Sequence, residues 1–173
     1  MANSLSDPDL RPLQQQLGYQ FHNTQLLRQA LTHKSYAKDN NERLEFVGDA
    51  VLGYLIGSML YRQYPAVHED ALSLMRAELV RGRTLALLAK ELNLAPLLRL
   101  GSGELQRGGR PRDEIVANAV EAVIGAAHED GGIQACAALV DKLYAERVQD
   151  LDAESLKAVS YTHLRAHETV ANL

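Results

Sequence analysis

Apolar residues recur at helical spacing along most of the chain, and no segment shows the strict alternation that is typical of strands. Gly18, Pro65, Pro96 and the pair Gly131-Gly132 interrupt this pattern. The four glycines of residues 101–111 indicate a loop. The spacing predicts an all-α protein with helices over residues 9–17, 25–31, 42–63, 70–81, 84–92, 113–127 and 133–148.

Three carboxylates lie within one of the most apolar predicted helices, residues 42–63. At about 100° per residue, Glu42, Glu45 and Asp49 fall in an arc of roughly 60° on one face. Three apolar residues continue that face: Leu52, Ile56 and Leu60. Acidic residues in a first helical turn are common, which accounts for Glu42 and partly for Glu45 but not for Asp49. Asp49 therefore predicts a partner, either a cation, a hydrogen-bond donor or a metal ion.

A second group of oxygen ligands lies on the predicted helix 113–127. Asn118 and Glu121 are three residues apart and share a face with Glu114, among apolar neighbours. If this helix packs against the first, the two sets of side chains form one cluster that suits Mg²⁺ or Mn²⁺. The alternative is a structural ion pair of Glu121, for example with Arg43, and spacing alone does not decide between them.

Length and composition indicate one soluble domain with a core of aliphatic residues. The chain has 173 residues, 46% of them hydrophobic, no Trp and one cysteine, Cys136. One cysteine permits no internal disulfide and fits a reducing compartment. We expect no signal peptide in residues 1–12, and the apolar run 50–61 is too short to span a bilayer. The expected location is cytoplasmic, with no membrane partner.

The charge is unevenly distributed along the chain. Residues 1–75 contain 6 basic and 8 acidic residues, residues 76–112 contain 8 and 3, and residues 113–173 contain 4 and 11. A basic middle segment beside an acidic site is typical of a phosphate-binding surface. Charge alone favours the simpler interpretation, which is a solvated helix face followed by a charged loop.

Five segments of the chain resemble ribonuclease III, the endonuclease family of double-stranded RNA that includes Dicer and Drosha. They are NERLEFVGD at 41–49, LTHKS at 31–35, RAELVR at 76–81, LGSGE at 100–104 and ANAVEAVIG at 117–125. The resemblance covers about residues 10–148. It implies an all-α helical fold like that of the ribonuclease III endonuclease domain. It also implies a homodimer, with two acidic centres in one valley that binds the duplex.

The resemblance also implies a reaction and its site. The reaction is hydrolysis of double-stranded RNA with Mg²⁺, or Mn²⁺ as a substitute, leaving 5′-phosphate ends and short 3′ overhangs. Asp49 and Glu121 correspond to catalytic positions, and Glu45, Asn118 and Glu121 to metal-binding positions. Two further carboxylates correspond to accessory acidic positions, Glu42 and Glu69.

Binding surfaces follow from the same resemblance. Phe46 lies where the family packs an aromatic side chain across the dimer interface. The candidate RNA contacts are in the 31–35 segment and in the basic middle: Thr32, His33, Lys34, Ser35, Arg76 and Arg107. A-form RNA is recognised by its shape, phosphates and 2′-hydroxyls, for which scattered Lys and Arg suffice.

This sequence departs from the family pattern at two places. Position 118 is Asn where the family usually has Asp, which removes one negative charge and should weaken metal binding. We expect residues 1–150 to form the nuclease domain and 151–173 to be a non-native or disordered tail, with the double-stranded-RNA-binding domain missing. Residues 160–173 match neither that domain nor its usual linker.

The expected function is processing of ribosomal RNA precursors and other structured RNAs, including messenger and transfer RNA, by an active endoribonuclease. The alternative is a non-catalytic double-stranded-RNA-binding or ribosome-associated module on the same fold. That alternative requires loss of key carboxylates. Glu45, Asp49 and Glu121 are all present, and only Asn118 favours it.

Overall fold

Six α-helices account for most of the residues that the structure, a computed structural model, describes, namely 8–105 and 109–151. Two short 3₁₀ turns, Ala95–Leu97 and Ser102–Glu104, lie between the fifth helix and the sixth. In the described part the only bridges are isolated ones, Thr32 with Arg99 and Leu105 with Pro111. The helices are α1 (Arg11–Leu17), α2 (Thr24–Ala30), α3 (Glu42–Gln63), α4 (Glu69–Val80), α5 (Gly82–Glu91) and α6 (Asp113–Gln149).

Local signals explain where these helices begin and end. Gly18 ends α1 in the left-handed conformation, with φ of 66°. The Asn23 side chain accepts a hydrogen bond from the Gln25 backbone N–H at 3.1 Å and caps α2. The α3 helix has the predicted bounds, and the other boundaries differ by a few residues. All-α architecture is therefore confirmed for the described residues.

The Gly131-Gly132 pair interrupts the helical run as predicted, although the first helix extends past residue 127 up to the break. The helical run continues from Asp113 to Gln149 with a break at Gly132, where φ is 75° and ψ is −178°. One residue takes up the change in direction because glycine reaches positive φ without steric cost. The helix on each side of the break continues up to it.

Asp130, just before the break, connects α6 to the loop between α1 and α2. Its side chain is 3% exposed and accepts hydrogen bonds from the Tyr19 hydroxyl and from the backbone N–H groups of His22 and Asn23, at 2.7–2.8 Å. Burial opposes the charged form of Asp130, but these hydrogen bonds outweigh it and keep its pKa below the ordinary value. The break in α6 is thereby tied to the start of α2.

The core centres on α3 and α6, which pack against each other more extensively than any other pair of helices. Leu52, Ile56 and Leu60 on α3 are fully buried, as their shared face predicts. The helices approach closely because glycines face the opposing backbone: Gly48 meets the carbonyl of Glu121, and Gly125 meets the carbonyl of Leu44. A side chain at either glycine would collide with that backbone.

The α3 helix is also long and apolar enough to cross a membrane, judged by length and composition alone. The sequence-based expectation had considered only the shorter run 50–61. One such helix is weak evidence, because the core helices of soluble proteins meet the same criteria. The fully buried Leu52, Ile56 and Leu60 show that one face of this helix forms part of the core.

We predict that Gly48→Ala destabilises the protein by about 3 kcal/mol, because the added methyl group forces α3 away from α6. Urea unfolding at neutral pH measures the change. Gly82→Ala is the matched control, since nothing beyond its chain neighbours and its own helix backbone lies within 4 Å of the position its methyl group would take. Equal unfolding midpoints for the two variants would show that the α3–α6 approach is not tight.

Candidate functional site

The acidic end of α3 is fixed by polar contacts that Asn40 and Asn41 make. Asn41 is buried; its side-chain amide donates to the Ala30 carbonyl at 3.2 Å and its backbone N–H to the Thr32 carbonyl at 2.9 Å. The Asn40 side chain accepts from the Glu42 backbone N–H at 3.0 Å. The first turn of α3 is therefore held against the end of α2, which sets the direction of its carboxylates.

The packing of α3 on α6 brings carboxylates from both helices together. We call the set Glu42, Glu45, Asp49, Glu114 and Glu121 the acidic cluster. Glu45 and Glu121 are half-buried, and the other three members are exposed. The contact of Gly48 with the Glu121 backbone lies beside Asp49, so the same approach that forms the core also forms the cluster.

Electrostatics confirm that the members of the acidic cluster interact. Burial, followed by the charges of Asp49 and Glu45, raises the pKa of Glu121 to about 7. Burial raises the pKa of Glu45 as well, with repulsion from Glu42, Glu114 and Asp49 outweighing attraction by Lys34. Glu121 thus holds its proton over a range of pH in which an ordinary carboxyl group is ionised.

The chemistry of this donor set fits a hard divalent cation, because carboxylate and amide oxygens are the ligands that Mg²⁺ and Mn²⁺ take. The surroundings of Glu121 also favour a cation, because its pKa is raised only by burial and by the charges of Asp49 and Glu45. Within residues 8–105 and 109–151, however, no three Asp, Glu, His or Cys side chains converge closely enough to hold a metal ion as they stand. Mutual repulsion between carboxylates favours that separation.

The two remaining candidate residues are Asn118 on α6 and Glu69 on α4. Asn118 is half-buried, one turn before Glu121 on α6. Glu69 begins α4, where it accepts a hydrogen bond from the Ser73 hydroxyl at 2.8 Å on its own helix. The alternative of a structural ion pair between Arg43 and Glu121 is not supported, because no described cation lowers the pKa of Glu121.

The loop between α2 and α3 carries four of the candidate RNA contacts. Thr32 is 2% exposed, and its hydroxyl donates to the Arg28 carbonyl at 2.7 Å, so its side chain supports the loop and does not face solvent. His33 is half-exposed, and Lys34 and Ser35 are exposed. Three residues of this loop therefore remain available to a ligand.

A second loop segment, residues 99–101, holds the α2–α3 loop in place. The His33 N–H donates to the Arg99 carbonyl at 3.0 Å, and the Gly101 N–H donates to the Ser35 hydroxyl at 2.9 Å. The Arg99 guanidinium lies over the Tyr36 ring, 4.6 Å from its centroid. These contacts make the two segments one surface beside the acidic cluster.

The two remaining RNA candidates lie elsewhere in the chain. Arg76 is exposed on α4, and its side chain approaches Gly57 of α3. Arg107 lies outside the described residues. The structure therefore describes only part of the basic middle segment, residues 76–112.

Exposed aromatic side chains mark a further surface on α3. Phe46, Tyr54 and Tyr61 are 78%, 64% and 75% exposed. At about 100° per residue they fall within roughly 80° of one another, on the side away from the buried leucines. Large apolar side chains grouped on one face indicate an interaction surface.

Sequence reasoning missed two features of the site. Glu114 was placed on the face of Glu121 without a role, and its spacing of seven residues was the signal that could have assigned it to the acidic cluster. The ion pair of Lys34 with Glu42, at 3.1 Å, joins a loop to a helix. No periodic pattern could have predicted that pair.

Comparisons with known proteins agree with this geometry. A family model described as Ribonuclease-III-like matches residues 23–148. The chain is 51% identical over 147 residues to Ribonuclease 3 of Nitrosococcus oceani, covering 85% of this chain and 63% of that protein. It is 48% identical over 151 residues to Ribonuclease 3 of Shewanella baltica, covering 87% of this chain and 67% of that protein.

A solved structure agrees in fold as well. It is the nuclease domain of ribonuclease III from Campylobacter jejuni, in which a region involved in dimer formation is structurally flexible. The TM-score is 0.76 at 38% identity, covering 80% of this chain and 97% of that one. The described helices thus form a nuclease-domain fold. The chain belongs to the ribonuclease III family and spans about two thirds of the length of the curated relatives it matches.

We predict that Glu121→Gln changes the pH dependence of stability in metal-free protein. The folded-state pKa of about 7 exceeds the unfolded value near 4.5, so the wild type loses stability as pH rises from 4.5 through 7. The variant lacks this titrating group. Its unfolding free energy should therefore rise relative to that of the wild type as the pH increases from 4.5 to 7. Urea unfolding in a chelator at several pH values measures it.

Glu146→Gln is the matched control, because Glu146 is exposed on the same helix. Its unfolding free energy should follow that of the wild type across the pH series. Parallel curves for the wild type and Glu121→Gln would contradict the raised pKa of Glu121.

Proposed function

We propose that this chain is an endoribonuclease that hydrolyses double-stranded RNA with the help of Mg²⁺ or Mn²⁺. The observation that carries the proposal is the acidic cluster, in which two apolar helices place Asp49 and Glu45 close enough to Glu121 to raise its pKa. Membership of the ribonuclease III family supports the substrate class. The relatives carry the name Ribonuclease 3.

In the proposed mechanism Glu45, Asn118 and Glu121 would hold the divalent ion, and Asp49 would complete the centre. The ion, when bound, would lower the pKa of a water molecule and offset negative charge on the phosphate. The pKa of Glu121 is raised to about 7 by burial and like charges, and a bound cation would favour its ionised form. Cys136 is no candidate for a protein nucleophile, because it is buried in the core and burial raises its pKa to about 11.

The proposed substrate lies across the α2–α3 loop and residues 99–101, next to the acidic cluster. Lys34, His33 and Ser35 face outward there, and they suit phosphate and 2′-hydroxyl groups of an A-form duplex. We extend the proposal to processing of ribosomal RNA precursors and other structured RNAs, with 5′-phosphate ends and 3′ overhangs as products. A cytoplasmic location belongs to the same proposal.

We predict that duplex RNA is cleaved only with Mg²⁺ or Mn²⁺, and that Glu121→Gln lowers the rate at least 100-fold while RNA binding persists. Gel analysis of a labelled duplex measures cleavage, and a filter assay in Ca²⁺ measures binding. Glu146→Gln is the control for loss of one charge from α6, and it should cleave like the wild type. Binding without cleavage by the wild type would favour the non-catalytic module.

We also propose that the chain forms a homodimer through the aromatic face of α3. The exposed Phe46, Tyr54 and Tyr61 support this, and dimer formation is described for the nuclease domain from Campylobacter jejuni. An interface on α3 would place two acidic clusters on one assembly, because α3 carries both the aromatic face and three of the carboxylates. Two centres would let one dimer act on both strands of a duplex.

Phe46→Ala should raise the dimer dissociation constant by about tenfold or more, since exposed aromatic side chains often contribute most of an interface's free energy. Sedimentation velocity over a range of protein concentrations measures the constant. Leu87→Ala removes an exposed apolar side chain from α5 and should leave the constant unchanged. A dimer of equal strength in both variants would place the interface elsewhere.

Asn118→Asp should lower the Mg²⁺ concentration needed for half-maximal cleavage, because hard cations bind carboxylate more tightly than a neutral amide. The new charge would also repel Glu121, so metal-free protein should melt at a lower temperature and gain more from added Mg²⁺. A Mg²⁺ titration of rate and melting temperature tests both effects. Coincident midpoints for the variant and wild type would show that residue 118 is not a ligand.

A further inference from the structure

Lys34 makes an ion pair that its expected role does not explain. The sequence assigns it to RNA contact, but its ammonium lies 3.1 Å from the Glu42 carboxylate and donates a hydrogen bond to it. Both side chains are more than half exposed, so the pair is open to solvent and to ligands. Lys34 is therefore engaged at the edge of the acidic cluster before any substrate arrives.

The position of Lys34 is set by the backbone around it. His33 and Ser35, on either side, are bonded to each other and to residues 99–101. At the other end, Asn40 and Asn41 hold the first turn of α3 that carries Glu42. The two charged groups meet because both loop ends are fixed.

Lys34 interacts with more of the acidic cluster than Glu42 alone. The pKa of its ammonium is raised by the hydrogen bond and charge of Glu42 and, more weakly, by the charges of Glu45 and Glu114. Glu45 in turn is stabilised as an anion by Lys34. Lys38, four residues along the same loop, is exposed and has no side-chain ion pair in the described part of the chain.

We propose that Lys34 is an exchangeable counter-ion of the acidic cluster, which competes with the divalent cation for the carboxylates and is released when an RNA phosphate pairs with its ammonium. This inference rests on the proposed function. Two cations close to the same carboxylates repel each other, so each weakens the binding of the other. An RNA phosphate at Lys34 removes that competition, and RNA and metal then assist each other's binding.

The test is Mn²⁺ binding to the full chain without RNA, measured by electron paramagnetic resonance of free Mn²⁺. Lys34→Gln should bind Mn²⁺ about two- to fivefold more tightly, the range expected for an exposed charge pair. Lys34→Arg keeps the charge and should bind like the wild type. Lys38→Gln removes a lysine of the same loop and should also be unchanged.

A second measurement separates a counter-ion from a residue that only supports the fold. In a chelator, Lys34→Gln should melt below Lys38→Gln, because its carboxylates lose their compensating charge, and added Mn²⁺ should narrow this difference. A filter assay in low and physiological salt should show a salt slope for RNA binding that is smaller by about one phosphate contact in Lys34→Gln.

Equal Mn²⁺ affinity in Lys34→Gln and Lys38→Gln would overturn the proposal, as would tighter binding by Lys34→Arg. Weaker RNA binding without any change in Mn²⁺ affinity would make Lys34 a plain phosphate contact and equally overturn it. Cleavage of duplex RNA by the wild type is measured separately. If no protein cleaves, the proposed function fails, whereas the Mn²⁺ comparison still decides the role of Lys34 at the acidic cluster.

Discussion

The close approach of α3 and α6 is the constraint on which the core and the acidic cluster both depend. Gly48 and Gly125 allow each helix to touch the backbone of the other, and the contact at Gly48 involves the carbonyl of Glu121 itself. The catalytic candidates are thus placed by main-chain packing, which is stiffer than any loop. Stability and proposed activity share one contact, so a change that loosens the core also separates the carboxylates.

This arrangement leaves the acidic cluster electrostatically unfavourable in metal-free protein. Burial and like charges raise the pKa of Glu121 and Glu45, and Lys34 is the cation that opposes them at Glu45. Such stored repulsion is common where a site is prepared for a cation. The hydrophobic contact between α3 and α6 compensates for that repulsion, since these two helices pack more extensively than any other pair.

The sequence predicts the helices well where local signals are strong. Pro65 follows the end of α3, which begins and ends at the predicted residues, Glu42 and Gln63. Gly131-Gly132 likewise marks the break in α6, where Gly132 has a positive φ of 75°. Asp130 fixes that break through contacts more than 100 residues away in sequence, which no local pattern contains.

The site likewise contains residues that local patterns predict and residues that only the packing brings together. Spacing along one helix grouped Glu42, Glu45 and Asp49, and the resemblance to ribonuclease III joined them to Glu121. Packing alone placed Lys34 on Glu42, because a loop conformation is not periodic and its partner cannot be read from spacing. Burial of Thr32 was equally hidden, since a threonine in a loop is usually exposed.

The hydrogen bonds between the α2–α3 loop and residues 99–101 affect which substitutions this surface can accept. They join backbone groups of His33, Arg99 and Gly101 with the Ser35 hydroxyl, and the Arg99 guanidinium adds a contact with the Tyr36 side chain. The Lys34 side chain takes no part in these contacts between the two segments. A substitution at Lys34 can therefore alter which ligands the surface prefers while the backbone that shapes the surface stays the same.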